Sequence, residues 1–395
     1  MLTKNSDDLI YFFIKNNCLP KNEKIHNNTK TTFLSFYEIL IDAKRFVTLF
    51  NKNIPSVIKI QNEKDIPKPR TFHYIPNKIG EYIHKSSYCL KYSFRLINRD
   101  VNIYFVIEED DKIERYNEYV DRIIMWLYMI QKKVSNNCSI TLNIYLYLSS
   151  HVKVLPNKKT NAILDLLNAN TAYTFSCKKN NDLVIYRKEE WFKVFIHETF
   201  HSFGLDFSFY NDDISRRKIL ELFHVNSEVK LFEAYTEFWA RIMNVLFISF
   251  FYNVKQSKEK FIHQCSKMIY LEQLFSIFQM IKVLNYMNID YNKLTENSHI
   301  KKLQYKENTN ILSYYVITCN LLFYYQDFLS WCQMNNKIII EFTPTNENQI
   351  KMCEFIKEKY KMSSFLKAIK CIQSSFIKVP YYLNNTMRMT IFELK

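Results

Sequence analysis

Glycine is almost absent from this sequence. The 395 residues include 2 glycines, Gly80 and Gly204, against a usual share of about 7%. Dinucleotide-binding and phosphate-binding loops need several glycines within a few residues, because only glycine lets successive backbone N–H groups close around a phosphate. The sequence therefore excludes Rossmann-type enzymes and P-loop nucleotide triphosphatases.

Paired cysteines and long apolar runs are also missing. The 9 cysteines form no CxxC pair and are odd in number, which predicts reduced thiols in a core. The longest apolar stretch, 311–331, contains Asn320 and Asp327, which favours a buried helix over a membrane span. Asp7 and Asp8 stand where a signal peptide needs an apolar run. We therefore expect a cytoplasmic protein without a membrane span.

The residues that are present predict a folded chain with a basic surface. Hydrophobic residues make up 48% of the sequence and the net charge is +15, so the chain has enough apolar surface to form a core. The positive excess is mostly lysine among many Asn, Ile, Tyr and Phe residues, a mixture typical of AT-rich genomes. A basic total is weaker support for nucleic-acid binding than a basic stripe, so nucleic acid is an alternative partner and not the favoured one.

The pattern along the chain divides it into three regions. Closely spaced prolines make residues 1–75 an N-terminal accessory region and linker. Residues 76–206 contain the predicted strands and end in a helix over 191–203, and helical spacing continues through 207–395. The predicted strands are 88–97, 101–107, 140–148 and 183–186. These regions predict an α+β fold, with a small sheet followed by a helical lobe.

One short segment, HETFH at residues 197–201, matches the pattern HExxH. On a helix, residues four apart project from the same face, so two imidazoles can bind one metal ion. A catalytic zinc needs neutral nitrogen ligands, an open position for water and a carboxylate that takes the proton of that water. His197 and His201 would be the ligands and Glu198 the general base. Gly204 stands three residues after His201, where a glycine in the left-handed conformation can end the helix.

A tetrahedral zinc site still needs a third protein ligand. The stretch EAYTEFWA places Glu233 and Glu237 one turn apart on one helix face. If Glu233 binds the metal, Glu237 can accept the outward N–H of a ligating histidine and fix its tautomer. An exposed acidic face is the other interpretation of this pair, although its apolar neighbours argue against it. Asp206 is an alternative ligand, one residue before the third-ligand position of the metzincin layout.

HExxH followed by a helical ExxxE resembles the gluzincins, the thermolysin-like zinc metallopeptidases with a His-His-Glu site. The resemblance covers Arg187–Arg241, and Glu237 stands where these enzymes usually carry Asp. The gap between His201 and Glu233 is longer than in compact members. The resemblance implies a zincin-like fold with a mixed sheet packed on the HExxH helix, a helical lobe with the third ligand, and one zinc per chain. A weaker similarity is to uncharacterised metallopeptidase-like proteins of large DNA viruses.

Together these features predict a zinc metallopeptidase that acts on a polypeptide substrate. Tyr210, His224 and Arg241 are the candidates for stabilising the oxyanion of the reaction. The alternative is a basic structural or nucleic-acid-binding protein, such as a viral particle component, with a structural or inactive zinc site. The predicted location is the cytoplasm, or the host cytoplasm or virion if the protein is viral.

Overall fold

The computed structural model describes residues 2–18, 24–108, 113–131, 134–253, 257–296, 304–374 and 379–395. Contacts divide the chain into two compact units, and neither is continuous in sequence. The sheet unit consists of Leu34–Val152 and Thr171–Leu205, and the helical unit of Met1–Phe33, Lys153–Asn170 and Asp206–Lys395. The mixed sheet and the mostly helical C-terminal region confirm the predicted α+β class.

A six-stranded mixed sheet forms the centre of the sheet unit. Its strands are β1 (Ser56–Lys59), β2 (Tyr88–Leu96), β3 (Arg99–Ile107), β4 (Thr141–Leu146), β5 (Ala172–Tyr173) and β6 (Asn180–Ile185). Their order is β1-β2-β3-β4-β6-β5; β3, β4 and β6 run parallel, and the other pairs are antiparallel. Strands β1 and β5 are not predicted by the sequence, because a strand of two to four residues is too short to show alternation.

The sheet unit also contains helices, one of which includes the HExxH segment. They are α2 (Asn27–Leu49), which contributes to both units, α3 (Asn77–Ile83), α4 (Ile113–Gln131) and α6 (Trp191–Ser202). Helix α6 packs against β5 and β6, and α4 packs against β3 through the rings of Tyr119 and Phe105. The rings of Trp126 in α4 and Phe200 in α6 stack 6.1 Å apart. The predicted packing of the HExxH helix on a mixed sheet is therefore present.

The helical unit is built around α8, which is buried over nearly its whole length. Its helices are α1 (Lys4–Lys15), α5 (Leu166–Ala169), α7 (Asp213–Phe223), α8 (Leu231–Tyr252), α9 (Lys258–Tyr286), α10 (Tyr291–Thr295), a π-helical segment (Leu312–Ile317), α11 (Thr318–Phe323), α12 (Tyr325–Asn335), α13 (Asn346–Lys359), α14 (Ser363–Ser374) and α15 (Tyr381–Asn385). Helix α8 packs against α9, α11 and the π-helical segment. A helix that is apolar on every side needs such neighbours on every side.

The apolar stretch after residue 311 differs from the sequence prediction. The sequence favours one buried helix over the apolar stretch 311–331, but the structure has the π-helical segment, α11 and α12 in succession. Tyr324 separates the last two, with ψ at 37°. The stretch is therefore helical as predicted, but apolar spacing distinguishes neither a normal turn from a wider π turn nor the break at Tyr324. Among the described residues, no helix is both long enough and apolar enough to cross a membrane.

Four of the cysteines form disulfides, which contradicts the prediction that all are reduced. Cys18 pairs with Cys371 in the helical unit, and Cys138 pairs with Cys177 in the sheet unit. The absence of CxxC spacing hid these pairs, because their partners lie 353 and 39 residues apart in sequence. The remaining described cysteines are buried free thiols: Cys89, Cys265, Cys319, Cys332 and Cys353.

Candidate metal centre

Helix α6 holds the three HExxH side chains in buried positions. His197, Glu198 and His201 are 6%, 7% and 8% exposed. The Nε2 atoms of the two histidines lie 3.2 Å apart. Two nitrogen ligands at about 2.0–2.1 Å from a tetrahedral zinc would lie about 3.3–3.4 Å apart. The imidazole pair therefore fits a shared metal ion.

The end of α6 is fixed by backbone hydrogen bonds typical of a Schellman motif. Gly204 N–H donates to His201 O at 3.1 Å, and Leu205 N–H donates to Phe200 O at 2.8 Å. Gly204 adopts φ 67°, the left-handed conformation that this motif requires. The predicted helix end at Gly204 is confirmed. It lies within one turn of His201, one of the predicted ligands.

Three contacts within the sheet unit hold α6 in place. Trp126 Nε1–H donates to Thr199 Oγ1 at 2.6 Å from α4. The loop before β4 contributes Ser139, whose hydroxyl donates to Ser202 O at 2.8 Å. Cys177 N–H donates to His201 O at 3.1 Å. Because Cys177 is bonded to Cys138, the disulfide joins the two loops that hold the end of this helix.

A conformational test follows from the two glycines. We expect Gly204→Ala to lower the free energy of unfolding by about 1–2 kcal/mol, the cost of the left-handed conformation for an L-residue. Gly80 lies inside α3, and an added Cβ there would meet no atom within 4 Å. Gly80→Ala should therefore stabilise the protein by about 0.5–1 kcal/mol, since alanine favours helix. Urea unfolding of both variants checks this, and equal effects would contradict the assignment.

Helix α8 carries the two predicted glutamates at its start. Glu233 and Glu237 are 9% and 1% exposed, so they do not form a solvated acidic face. Tyr314 Oη–H donates to Glu233 Oε2 at 3.1 Å, and Asn310 Nδ2–H donates to Glu233 Oε1 at 3.3 Å. The role of Glu237 as support for a histidine ligand stays a prediction.

The residues predicted as metal ligands form one group. The side chains of His197, His201 and Glu233 each offer a ligand atom, and these atoms lie within 4.8 Å of one another. Two imidazole nitrogens and a carboxylate oxygen are a ligand set suited to a divalent transition metal such as zinc. It is the only such group of three found in the part of the chain that the structure describes.

The alternative ligand Asp206 lies outside this group and is completely buried. Its Oδ1 accepts hydrogen bonds from Ser208 N–H at 3.1 Å and from the Ser208 hydroxyl at 2.7 Å. Its Oδ2 accepts one from the Thr236 hydroxyl at 3.1 Å. Oδ1 thus holds the loop after residue 205, and Oδ2 connects this loop to α8.

The candidates for oxyanion stabilisation occupy different environments. Arg241 is buried and bound to Glu272, with Nη2 and Oε2 2.5 Å apart, which removes it as a candidate. His224 ends α7 in a left-handed conformation, and Tyr210 is 39% exposed.

Burial perturbs a phenol close to the HExxH helix. Tyr186, at the end of β6, is 2% exposed. Its burial raises the phenol pKa well above the ordinary value, Arg187 lowers it and the negative charge of Glu198 adds a smaller increase.

Comparisons with protein-family models, curated proteins and solved structures gave no significant match. The resemblance to gluzincins therefore depends on the HExxH segment and the glutamates of α8 alone. Asn310 and Tyr314 are not predicted as site residues by the sequence. Asn310 directly precedes the apolar stretch, and Tyr314 lies within it. The sequence predicts the tyrosines of this stretch as core residues. No local pattern indicates that either residue contacts Glu233.

Proposed function

We propose that this protein is a zinc-dependent metallopeptidase of gluzincin type. His197, His201 and Glu233 would hold one zinc ion, and Glu198 would be the general base. The observation that carries the proposal is the convergence of two imidazole nitrogens and one carboxylate in a single group, with the HExxH glutamate on the same helix as the histidines.

Each residue has a defined part in peptide hydrolysis. Bound zinc would supply Lewis acidity, which lowers the pKa of water and polarises a carbonyl. Glu198 accepts a proton from the attacking water and then passes it to the amine that leaves. Glu237, one turn after Glu233, would accept a histidine N–H and so fix the ring that ligates the metal. The low exposure of all three HExxH side chains strengthens their electrostatic interactions with a bound ion.

The partner would be a polypeptide, bound with its scissile carbonyl near the histidines and its leaving nitrogen within reach of Glu198. The cytoplasmic location, including the viral alternatives, stays a prediction. The two disulfides weigh against it, because stable disulfides are typical of oxidising compartments.

The first test is the zinc content of the purified full chain. We expect about one zinc per wild-type chain and a marked loss in Glu233→Ala, since a structural or catalytic zinc requires its full set of protein ligands. Asp206→Asn is the matched control, because it removes a charge while keeping the size and one oxygen acceptor of a buried carboxyl group.

Three results would overturn the proposal. Wild-type protein that stays folded but takes up no zinc would exclude a zinc enzyme. Zinc lost in Asp206→Asn but retained in Glu233→Ala would move the third ligand to Asp206 and exclude the His-His-Glu site. Zinc uptake without peptide cleavage would favour a structural site, and the alternative nucleic-acid binder would then show steeply salt-dependent affinity.

A further inference from the structure

Two side chains from one short segment contact the two oxygens of Glu233. Asn310 and Tyr314 are four residues apart, and Tyr314 N–H donates to Asn310 O at 2.9 Å. Residues four apart in a helical turn share a face. Asn310 donates to Oε1 and Tyr314 to Oε2 of the same carboxylate, so rotation of Glu233 would break both bonds.

This segment has an unusual backbone that is attached to α8. Tyr314 lies in the π-helical turn Leu312–Ile317, where Thr318 N–H donates to Ser313 O five residues earlier. Such turns are rare and often occur at functional sites. The Ser313 hydroxyl donates to Lys230 O at 2.8 Å, at the residue that precedes α8. The donors and Glu233 are therefore fixed to the same helix end.

The chemistry of the contacts suits a metal ligand. A carboxylate has about four lone-pair sites, and one donor on each oxygen leaves sites for a metal. Asn310 and Tyr314 donate as neutral groups, so they orient the carboxylate without adding positive charge that would compete with the ion. Outer hydrogen-bond partners of this kind commonly set the orientation and affinity of metal sites.

We propose that Tyr314, supported by Asn310, is a positioning residue that holds the Glu233 carboxylate in its metal-binding orientation. The inference rests on the proposed function and extends it to residues that do not touch the metal. It assigns the π-helical turn a role in zinc affinity in addition to its role in packing.

The test is the zinc affinity of the full chain, measured by competition between Zn²⁺ and a chromophoric chelator. Tyr314→Phe removes one hydroxyl and should weaken zinc binding about 10–100-fold, the usual cost of losing an outer partner. Tyr315→Phe is the matched control, because its hydroxyl lies on the same turn but donates to Met387 O at 2.6 Å. Tyr315→Phe should lower the free energy of unfolding. It should leave the zinc affinity within about 2-fold of wild type, because its hydroxyl and the metal site are independent.

A double-mutant cycle distinguishes the positioning of Glu233 by Tyr314 from a general loss of packing around the site. If Tyr314 acts through Glu233, Tyr314→Phe should have no further effect on zinc affinity in a Glu233→Ala background. Unchanged affinity in Tyr314→Phe, with weak binding in Glu233→Ala, would overturn this inference and leave the proposed function intact. Equal loss in Tyr314→Phe and Tyr315→Phe would also overturn it. Zinc affinity that does not depend on Glu233 would instead overturn the proposed function.

Discussion

Glu198→Gln should abolish most peptide cleavage while the protein keeps its zinc. The amide has nearly the same size as the carboxylate but cannot take the proton of the attacking water. Loss of a general base typically lowers turnover about 10²–10⁴-fold. Cleavage of a mixed peptide library, followed by mass spectrometry, and zinc content measured on the same preparation check both halves of this expectation.

The control for this variant is Glu118→Gln. Glu118 lies in α4, and its side chain is 71% exposed beside Arg122, so the same chemical change there should leave cleavage unchanged. A Glu198→Gln protein that cleaves as fast as wild type would contradict the general-base role. Wild-type protein that holds zinc and cleaves none of the library would contradict the peptidase proposal itself.

The HExxH part of the candidate site is predictable because its information is local. Residues 197–201 need only helical geometry to place two imidazoles on one face. Gly204 marks the helix end through its own conformational freedom, and the structure gives it φ 67°. Each feature depends on neighbours within one or two turns, and such features can be read from the sequence itself.

The rest of the site depends on contacts between distant residues. Asn310 and Tyr314 lie 77 and 81 residues after Glu233 in sequence, and the spacing of apolar residues around them is that of an ordinary core helix. The sequence therefore predicts burial for Tyr314, which is 7% exposed, but not the direction of its hydroxyl. The ion pair of Arg241 is also not predicted by the sequence, because its partner Glu272 lies on another helix.

Arg241→Met should strongly destabilise the helical unit. Arg241 and Glu272 are each 2% exposed in their side chains. The guanidinium donates to Glu272 Oε2 through Nε at 3.0 Å and to Ser276 Oγ through Nη1 at 3.2 Å. Removal of the arginine leaves a buried carboxylate without its cation, which costs about 3–5 kcal/mol. Urea unfolding of the full chain measures the loss.

The carboxylate of Glu272 accepts hydrogen bonds from other groups in addition to Arg241. Its Oε1 accepts hydrogen bonds from the Thr390 hydroxyl and from Ile391 N–H, so the same carboxylate joins α8, α9 and the buried C-terminal segment. In Arg241→Met/Glu272→Gln no buried charge is left unpaired, and the amide oxygen can still accept from Ile391. The double variant should therefore be more stable than Arg241→Met alone.

The comparison with an exposed pair tests whether burial is the cause. Arg216 and Asp213 lie 2.7 Å apart, but their side chains are 42% and 55% exposed. Arg216→Met should cost at most about 1 kcal/mol, because water solvates the aspartate that remains. Similar losses in Arg216→Met and Arg241→Met would mean that contact distance, and not desolvation, sets the free energy. A double variant no more stable than Arg241→Met would show that the lost hydrogen bonds to Glu272 dominate over its unpaired charge.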